Sequence, residues 1–496
     1  LFPSEQGPAQ LEQTAQWLAR LTAAPLGPLV HSNPTFVGDP ARLKINQSAP
    51  GAAEYAEFRQ QTKRRAMVYV GGNDGLLHGF DAQTGEELMS YLPSAILDEN
   101  LPLTTTGYIS RVDGPIVVED AYIPERGGWR TILVAGFRYG GTGYFALDVT
   151  DPEQLTGPNA AEAVLWEFST SGVVQLDSAQ VGQDLGFSYN RAALGAMHNG
   201  RWAAVFGNGY NSESGEASLF ILDLQSGKVI NRLNTGITAD QDPLNLNRDN
   251  GMSEPSLVDL DQDGVVDTIY AGDYFGNLFA FDVIDPQPNQ WRSRYRNAQR
   301  AIPLYASGGA ALTSRPAVLR HPTGGVMVIV GTGQDIAPLA QAPANALIGV
   351  IDNGEPISSD RQLQLNELSR TGLNWQLTPS STEPNQPLKG WRIPLTGDAV
   401  GLMNLRHPTL QFGELTFVLT QAQQQVCGTS DKSSTVLTFD PYTGTSLGRE
   451  IFLDQDFKAI VNENDSDDTN SIVGITLPGA TLIDVTIAGN GDFEQI

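Results

Sequence analysis

The sequence is nearly without cysteine. Cys427 is the only one in 496 residues, so no disulfide can form within the chain. Its thiol is left to be buried, or to pair with a part of the protein outside this chain. Long apolar runs are also missing, and no stretch approaches the ~18 residues that a membrane-spanning helix needs. Positive charge is scarce, with 30 Lys and Arg against 56 Asp and Glu, a net charge of -26 and a pI near 4.4. That balance argues against DNA, RNA or anionic lipid as the main partner, since those bind basic surfaces. It fits an extracellular protein or a cation binder. Charge is modest overall at 17%, beside 40% hydrophobic residues, which argues against a disordered acidic chain. The chain opens at Leu1 with neither Met nor a signal peptide, and the expectation is a piece of a longer protein that carries its targeting signal elsewhere. An H-E-x-x-H is absent, and His31, His78, His198, His321 and His407 lie far apart with no partner pattern, so a hydrolase finds little support.

Glycine and proline are plentiful, at 52 and 30, and they punctuate a repeat. VYVGGNDGLLHGFDAQTG begins at Val68, TILVAGFRYGGTGYFALDVTDP at Thr131, WAAVFGNGYNSESGEASLFILDLQSG at Trp202 and TIYAGDYFGNLFAFDV at Thr268. Weaker copies begin at Val326 and Glu414. Each copy has an apolar strand ending in Gly, a turn of Gly, Asn and Asp, and a second strand ending in Asp. This is a β-hairpin with its turn chemistry written out. Gly72, Gly136, Gly207, Gly272 and Gly331 mark a period of ~60–70 residues, enough for one four-stranded sheet and its loops. The fold class expected is all-β, a β-propeller of seven blades in preference to six, with irregular blades, long loops and a short N-terminal helix.

Residues 1–50 are expected to form a connector, with an amphipathic helix over 8–22, leading into or packing on a propeller spanning 51–496. Residues 353–390 and 460–472 read as loops. Asn73, Asp74 and Gly75 are expected to serve hairpin turns, Asp81, Asp148, Asp223, Asp282 and Asp440 to cap strand ends, and His78 to pack among apolar neighbours.

One stretch asks for more than structure. DLDQDGVVD, residues 259–267, places Asp259, Asp261 and Asp263 at alternate positions, then Gly264, then Asp267. Ca²⁺ takes six to eight oxygen ligands, and carboxylates at positions 1, 3 and 5 converge if the chain turns sharply after the fifth. Gly264 permits that turn. The Val265 carbonyl at position 7 then points inward, and Asp267 closes the site. The twelfth position is Tyr270, where an EF-hand has Glu, so this is not a full EF-hand. Without a metal, four crowded carboxylates repel and raise one another's pKa. The alternative is a solvated acidic turn. The segment around Asn464, Asp465, Asp467 and Asp468 lacks both the spacing and the glycine, and reads as a solvated loop.

YVGGNDGLLHGFDAQTGEEL (69–88) with YLP (91–93), WRTILVAGFRYGGTGYFALDVTDP (129–152), VLWEF (164–168), RWAAVFGNGYNS (201–212), the lead-in HSNPTFVG (31–38) and SLVDLDQDGVVDTIYAGDYFGNLFAFDV (256–283) resemble the PilY/PilC family of type IV pilus biogenesis proteins. The resemblance covers roughly residues 30–285 and weakens from 340 onward. It implies a C-terminal propeller of a large exported protein, extracellular and associated with the pilus tip or outer membrane. The N-terminal region, often with a von Willebrand A-like domain, would lie outside this chain. It further implies partners among pilin or minor pilins, adhesion to host cells or abiotic surfaces, and control of pilus extension, retraction and twitching. By position, Asp259, Asp261, Asp263, Val265 and Asp267 become the Ca²⁺ ligands. The chain departs from some members in having no RGD and no second D-x-D-x-D-G loop.

Two function classes follow. One is a non-enzymatic pilus module in which Ca²⁺ orders a loop. The other is a quinoprotein-type dehydrogenase propeller, which the repeats also resemble. That class resembles a pattern with adjacent cysteines near the cofactor, and Cys427 stands alone.

Overall fold

The computed structural model describes residues 26–40, 48–96, 109–158, 160–170, 179–335, 342–380, 387–421, 433–449, 451–452 and 472–477. The expected amphipathic helix over 8–22, Cys427 and the acidic segment around Asn464 lie outside them.

The hairpins of the repeat assemble into sheets, and in the first four these are antiparallel with strands that follow one another in chain order. The first sheet runs β1 (Thr35–Val37), β2 (Met67–Gly71), β3 (Leu77–Asp81) and β4 (Glu87–Tyr91). The second runs β5 (Ile116–Ile123), β6 (Gly128–Gly136), β7 (Gly143–Asp148) and β8 (Val164–Ser169). The third has β9 (Ala193–Ala196), β10 (Trp202–Gly207), β11 (Ser218–Asp223) and β12 (Val229–Asn234). The fourth has β13 (Ser256–Val258), β14 (Thr268–Gly272), β15 (Asn277–Asp282) and β16 (Arg292–Ser293), with β17 (Tyr305–Ala306) also on β15. An 11-stranded sheet holds the rest. Its fifth-blade part is β18 (Ala317–Arg320), β19 (Val326–Gly331), β20 (Ala346–Asp352) and β23 (Gly390–Pro394), with the hairpin β21 (Gln364–Thr371) and β22 (Asn374–Pro379) bridging onward. Its sixth-blade part is β24 (Leu402–Asn404), β25 (Thr409–Gln411), β26 (Glu414–Gln421), β27 (Ser434–Phe439) and β28 (Gly474–Leu477).

The core shows why these sheets stand as blades of a propeller. Side chains alternate across a strand, and here each face meets a different neighbour. In β10, Ala203 and Val205 enter one core cluster while Ala204 and Phe206 enter another. In β15, Phe279 and Phe281 face the third blade, and Leu278 and Ala280 face the fifth. Both faces are buried, so the central strands are apolar throughout rather than alternating. The first strands β1, β5, β9, β13 and β18 touch one another in turn.

Close approach of neighbouring blades explains the strand-end glycines. A Cβ on Gly207 would lie 2.3 Å from the Met252 carbonyl, and one on Gly272 2.4 Å from Leu312 Cβ. In the first blade the equivalent residue is Gly71 rather than Gly72, because Gly71 pairs with Leu77 as Gly272 pairs with Leu278.

Among the described residues six units of four or five strands are present. Residues 1–25 and 478–496, at the two ends of the chain, lie outside the described set, so the expected seventh blade is not tested there. The connector reaches further into the propeller than a lead-in, since β1 completes the first sheet. A helix, α1 (Ala52–Gln61), follows it and buries Tyr55 against Trp129, with ring centroids 4.5 Å apart. The loop expected over 353–390 instead contains β21, β22 and β23. Pro379 ends β22, paired with Asn366, and the hairpin turns at Gly372–Leu373, with Gly372 at φ +63.

Of the strand-end aspartates, Asp81, Asp148, Asp223 and Asp440 cap turns, as in the bond from the Gln83 amide to Asp81 Oδ1 at 2.7 Å. Asp282 departs and pairs with Arg294 at 2.6 Å. His78 packs as expected, buried with its ring stacked on Phe80 at 5.9 Å, and in addition it bridges Glu87 at 2.6 Å and Asp74 at 3.1 Å.

Candidate metal centre

The nonapeptide is the loop between β13 and β14. Val258 pairs with Thr268 across the sheet, so the nine residues leave and re-enter the fourth blade at adjacent points. Two residues turn the chain in the left-handed region, Gln262 at φ 65 and Gly264 at φ 88. Gly264 also has no room for a side chain, since an added Cβ would sit 2.3 Å from Ala49 Cβ.

Backbone amides organise the carboxylates. Asp259 accepts from the Gly264 amide at 2.6 Å and from the Asp263 amide at 3.1 Å. Asp267 Oδ2 accepts from the Leu260 amide at 2.6 Å and the Asp261 amide at 3.3 Å. Each bond curls the loop onto its own side chains. As a result Asp259, Asp261 and Asp267 bring carboxylate oxygens within 4.8 Å of one another. Asp263 is not in that group, and its carboxylate accepts from the Val265 amide at 2.8 Å. Burial pushes the Asp259 carboxyl above the usual carboxylate range, and the charge of Asp263 adds to that, against the pull of the loop amides.

Three contacts that sequence reading did not find hold the loop to its surroundings. His198 Nε2, in the β9–β10 turn of the third blade, lies 2.9 Å from Asp267 Oδ1. The Arg320 guanidinium of the fifth blade donates to the Leu260 carbonyl. Ser48, in the segment before α1, donates to the Asp263 carbonyl at 3.1 Å. No local signal marks these partners, which come from 60, 69 and 215 residues away.

The donor set fits a hard divalent cation. All of the gathered side-chain donors are carboxylate oxygens, which suits Ca²⁺ rather than a softer metal. The turn after the fifth position is in place, and Asp267 is 4% exposed, which sets a buried anion at the base of an otherwise open loop.

One hydrolase-like string can be tested against its setting. A G-x-S-x-G string does occur, Gly444–Thr445–Ser446–Leu447–Gly448. It forms the turn after β27, where Ser446 Oγ accepts from the Gly448 amide at 3.2 Å. A nucleophile elbow requires a strand entering a helix at that serine, and residues 446–449 are not helical.

Residues 26–376 match the family model for the PilY1 beta-propeller domain. The chain is 33% identical over 485 residues to the type IV pilus biogenesis factor PilY1 of Pseudomonas aeruginosa strain PAO1, covering 86% of this chain and 39% of that protein. A PilY1 homolog of Xylella fastidiosa is 30% identical over 435 residues, covering 79% and 27%. The chain thus spans less than half the length of these relatives. The crystal structure of the P. aeruginosa PilY1 C-terminal domain superposes with a TM-score of 0.70 at 28% identity, covering 90% of this chain and 94% of that one. The repeat, the radial sheets, the family match and the superposition agree, and the chain belongs to the PilY1 β-propeller domain family.

Proposed function

We propose that this chain is the non-enzymatic C-terminal propeller of a type IV pilus biogenesis protein, and that its β13–β14 loop binds one Ca²⁺. The observation that carries the metal reading is the convergence of Asp259, Asp261 and Asp267 around a chain reversal at Gly264. Asp263 and the Val265 carbonyl complete the expected ligand set. Bound Ca²⁺ supplies the charge that lets these carboxylates stay ionised at close range.

The loop's neighbours support a regulatory role. His198, Arg320 and Ser48 tie it to the third blade, the fifth blade and the segment before α1. A loop ordered by an ion changes what it offers to each of them. The relatives are named as pilus biogenesis factors, which supports an exported, pilus-associated protein. We place it at the pilus tip or outer membrane, contacting pilin or minor pilins, with a part in extension, retraction, twitching and adhesion to host or abiotic surfaces. Among the described residues no helix is long and apolar enough to cross a membrane.

The test is Asp259→Ala in the full-length protein, read by calorimetry with Ca²⁺ and by twitching motility. Binding retained in the variant sinks the site. Binding lost with motility and adhesion unchanged sinks the regulatory role and leaves a structural ion.

A further inference from the structure

The chain's few positive charges are not spread evenly. In QWRSRYRNAQRA, residues 290–301, four arginines fall within nine positions of a protein that carries 30 basic residues in all. Arg294 is used internally, bonded to Asp282 at 2.6 Å and Asp352 at 2.8 Å. Arg292, Arg296 and Arg300 are exposed and have no ion-pair partner among the described residues. In a chain of net charge -26, three such guanidiniums close together need an explanation.

They line one cavity of about 320 Å³ between the outer strand of the third blade and the outer segment of the fourth. The cavity is built rather than incidental. Arg296 and Arg300 flank a tight turn in which Asn297 Oδ1 accepts from the Gln299 and Arg300 amides at 2.8 and 2.9 Å. That turn is pinned to the third blade by the Ala301 amide, which donates to the Thr235 carbonyl at 2.8 Å. Trp291, 4% exposed, also lines the cavity, and its indole is fixed by a bond to the Asp285 carbonyl at 2.6 Å. Gly236 lies against Arg300, with room for no more than a tight Cβ at 3.1 Å. Two charged side chains of the wall are already engaged: Arg232 pairs with Asp184, and Glu216 accepts from the Gly236 amide at 2.6 Å.

We propose that this inter-blade cavity is a binding site for a multivalent oxyanion of the phosphate class, held by Arg292, Arg296 and Arg300. Guanidinium forks match phosphate oxygens in geometry and charge. A single carboxylate would neutralise only one of the three cations. The same chemistry is offered by a free phosphate and by a phosphorylated lipid headgroup, and the cavity opens at the propeller's outer edge where either can reach it. The cavity and the aspartate loop both involve the fourth blade but share no residue, and the proposal does not depend on the Ca²⁺ reading.

The experiment is calorimetry with inorganic pyrophosphate in calcium-free buffer, together with sedimentation with phosphatidylcholine vesicles with and without phosphatidylglycerol. The comparison is Arg296→Gln/Arg300→Gln, then the triple variant adding Arg292→Gln. All three side chains are exposed, and thermal melting without ligand checks that the variants fold. Saturable pyrophosphate binding, weakened about tenfold for each guanidinium removed, supports the site for a free anion. Selective binding to phosphatidylglycerol vesicles, lost in the triple variant, supports it for a headgroup. No binding to either, binding unchanged in the triple variant, or binding of polyglutamate in preference to pyrophosphate overturns it.

Discussion

His198 Nε2 sits 2.9 Å from Asp267 Oδ1, which joins a turn of the third blade to the last acidic residue of the β13–β14 loop. Asp267 is the most enclosed of the loop's aspartates and is also held by two backbone amides. Its orientation is therefore set partly from another blade. Hydrogen-bond partners of ligating groups are worth about 10–100-fold in metal affinity. His198→Ala should weaken Ca²⁺ binding by about tenfold while leaving the one-to-one stoichiometry. Calorimetry on the metal-stripped protein measures both. Unchanged affinity would make His198 a blade-to-blade contact with no bearing on the metal.

Removing the metal should cost stability by mass action. An ion that binds only the folded state adds RT ln(1 + [L]/Kd), about 2.7 kcal/mol at a hundred times Kd. Chelation should lower the melting temperature, and Ca²⁺ should restore it in proportion to the logarithm of its concentration. Asp267→Ala should show neither the drop nor the rescue. If the variant still responds to Ca²⁺, the stabilising ion is bound elsewhere.

Gly264→Ala is expected to act on the loop through two independent strains. Its φ of 88 is unfavourable for alanine, and the new methyl would overlap Ala49 at 2.3 Å. Left-handed strain alone costs about 1 kcal/mol or more. The variant should melt at a lower temperature and bind Ca²⁺ more weakly, since the turn that gathers Asp259 and Asp267 must open. A variant with wild-type affinity would show that the ligands assemble without that reversal.

How much was legible depends on how far apart the cooperating residues lie. Ala203–Phe206 and Leu278–Phe281 announce buried strands because every residue is apolar, and Gly207 after the first and Gly276 before the second place the turns. Asp259–Asp267 is legible because the carboxylates of its expected ligand set fall within nine residues. The close blade approach at Gly207 and Gly272 was not, since a turn glycine and a packing glycine look the same in sequence. His198, Arg320 and Ser48 were invisible because only the radial packing brings them to the loop. The hairpin of β21 and β22 was masked by Pro379, Pro384 and Pro387, which end strands as readily as they fill loops. His78 read as a core residue because its strand neighbours are apolar, while its partners Asp74 and Glu87 lie in the flanking turn and on the next strand.

That His78 bridge predicts a pH dependence located in the first blade. Burial disfavours the imidazolium, but the bonds to Asp74 and Glu87 outweigh it and raise the His78 pKa above its usual 6.5. Burial likewise opposes ionisation of Asp74, but the bond from His78 and the Gly27 amide carry its pKa below the usual 3.8. The two shifts have opposite signs in linkage. The His78 contribution is complete below pH 6.5 and is lost as pH rises through the elevated folded value. The Asp74 contribution is complete above pH 3.8 and is lost as pH falls through the depressed one. Wild type should therefore exceed His78→Gln in stability by the widest margin at mildly acidic pH, with the gap closing on both sides. Urea denaturation of the two proteins across that range measures it. A gap that stays constant from acidic to alkaline pH would mean that the ring acts through packing and neutral hydrogen bonds, with no ion pair to titrate.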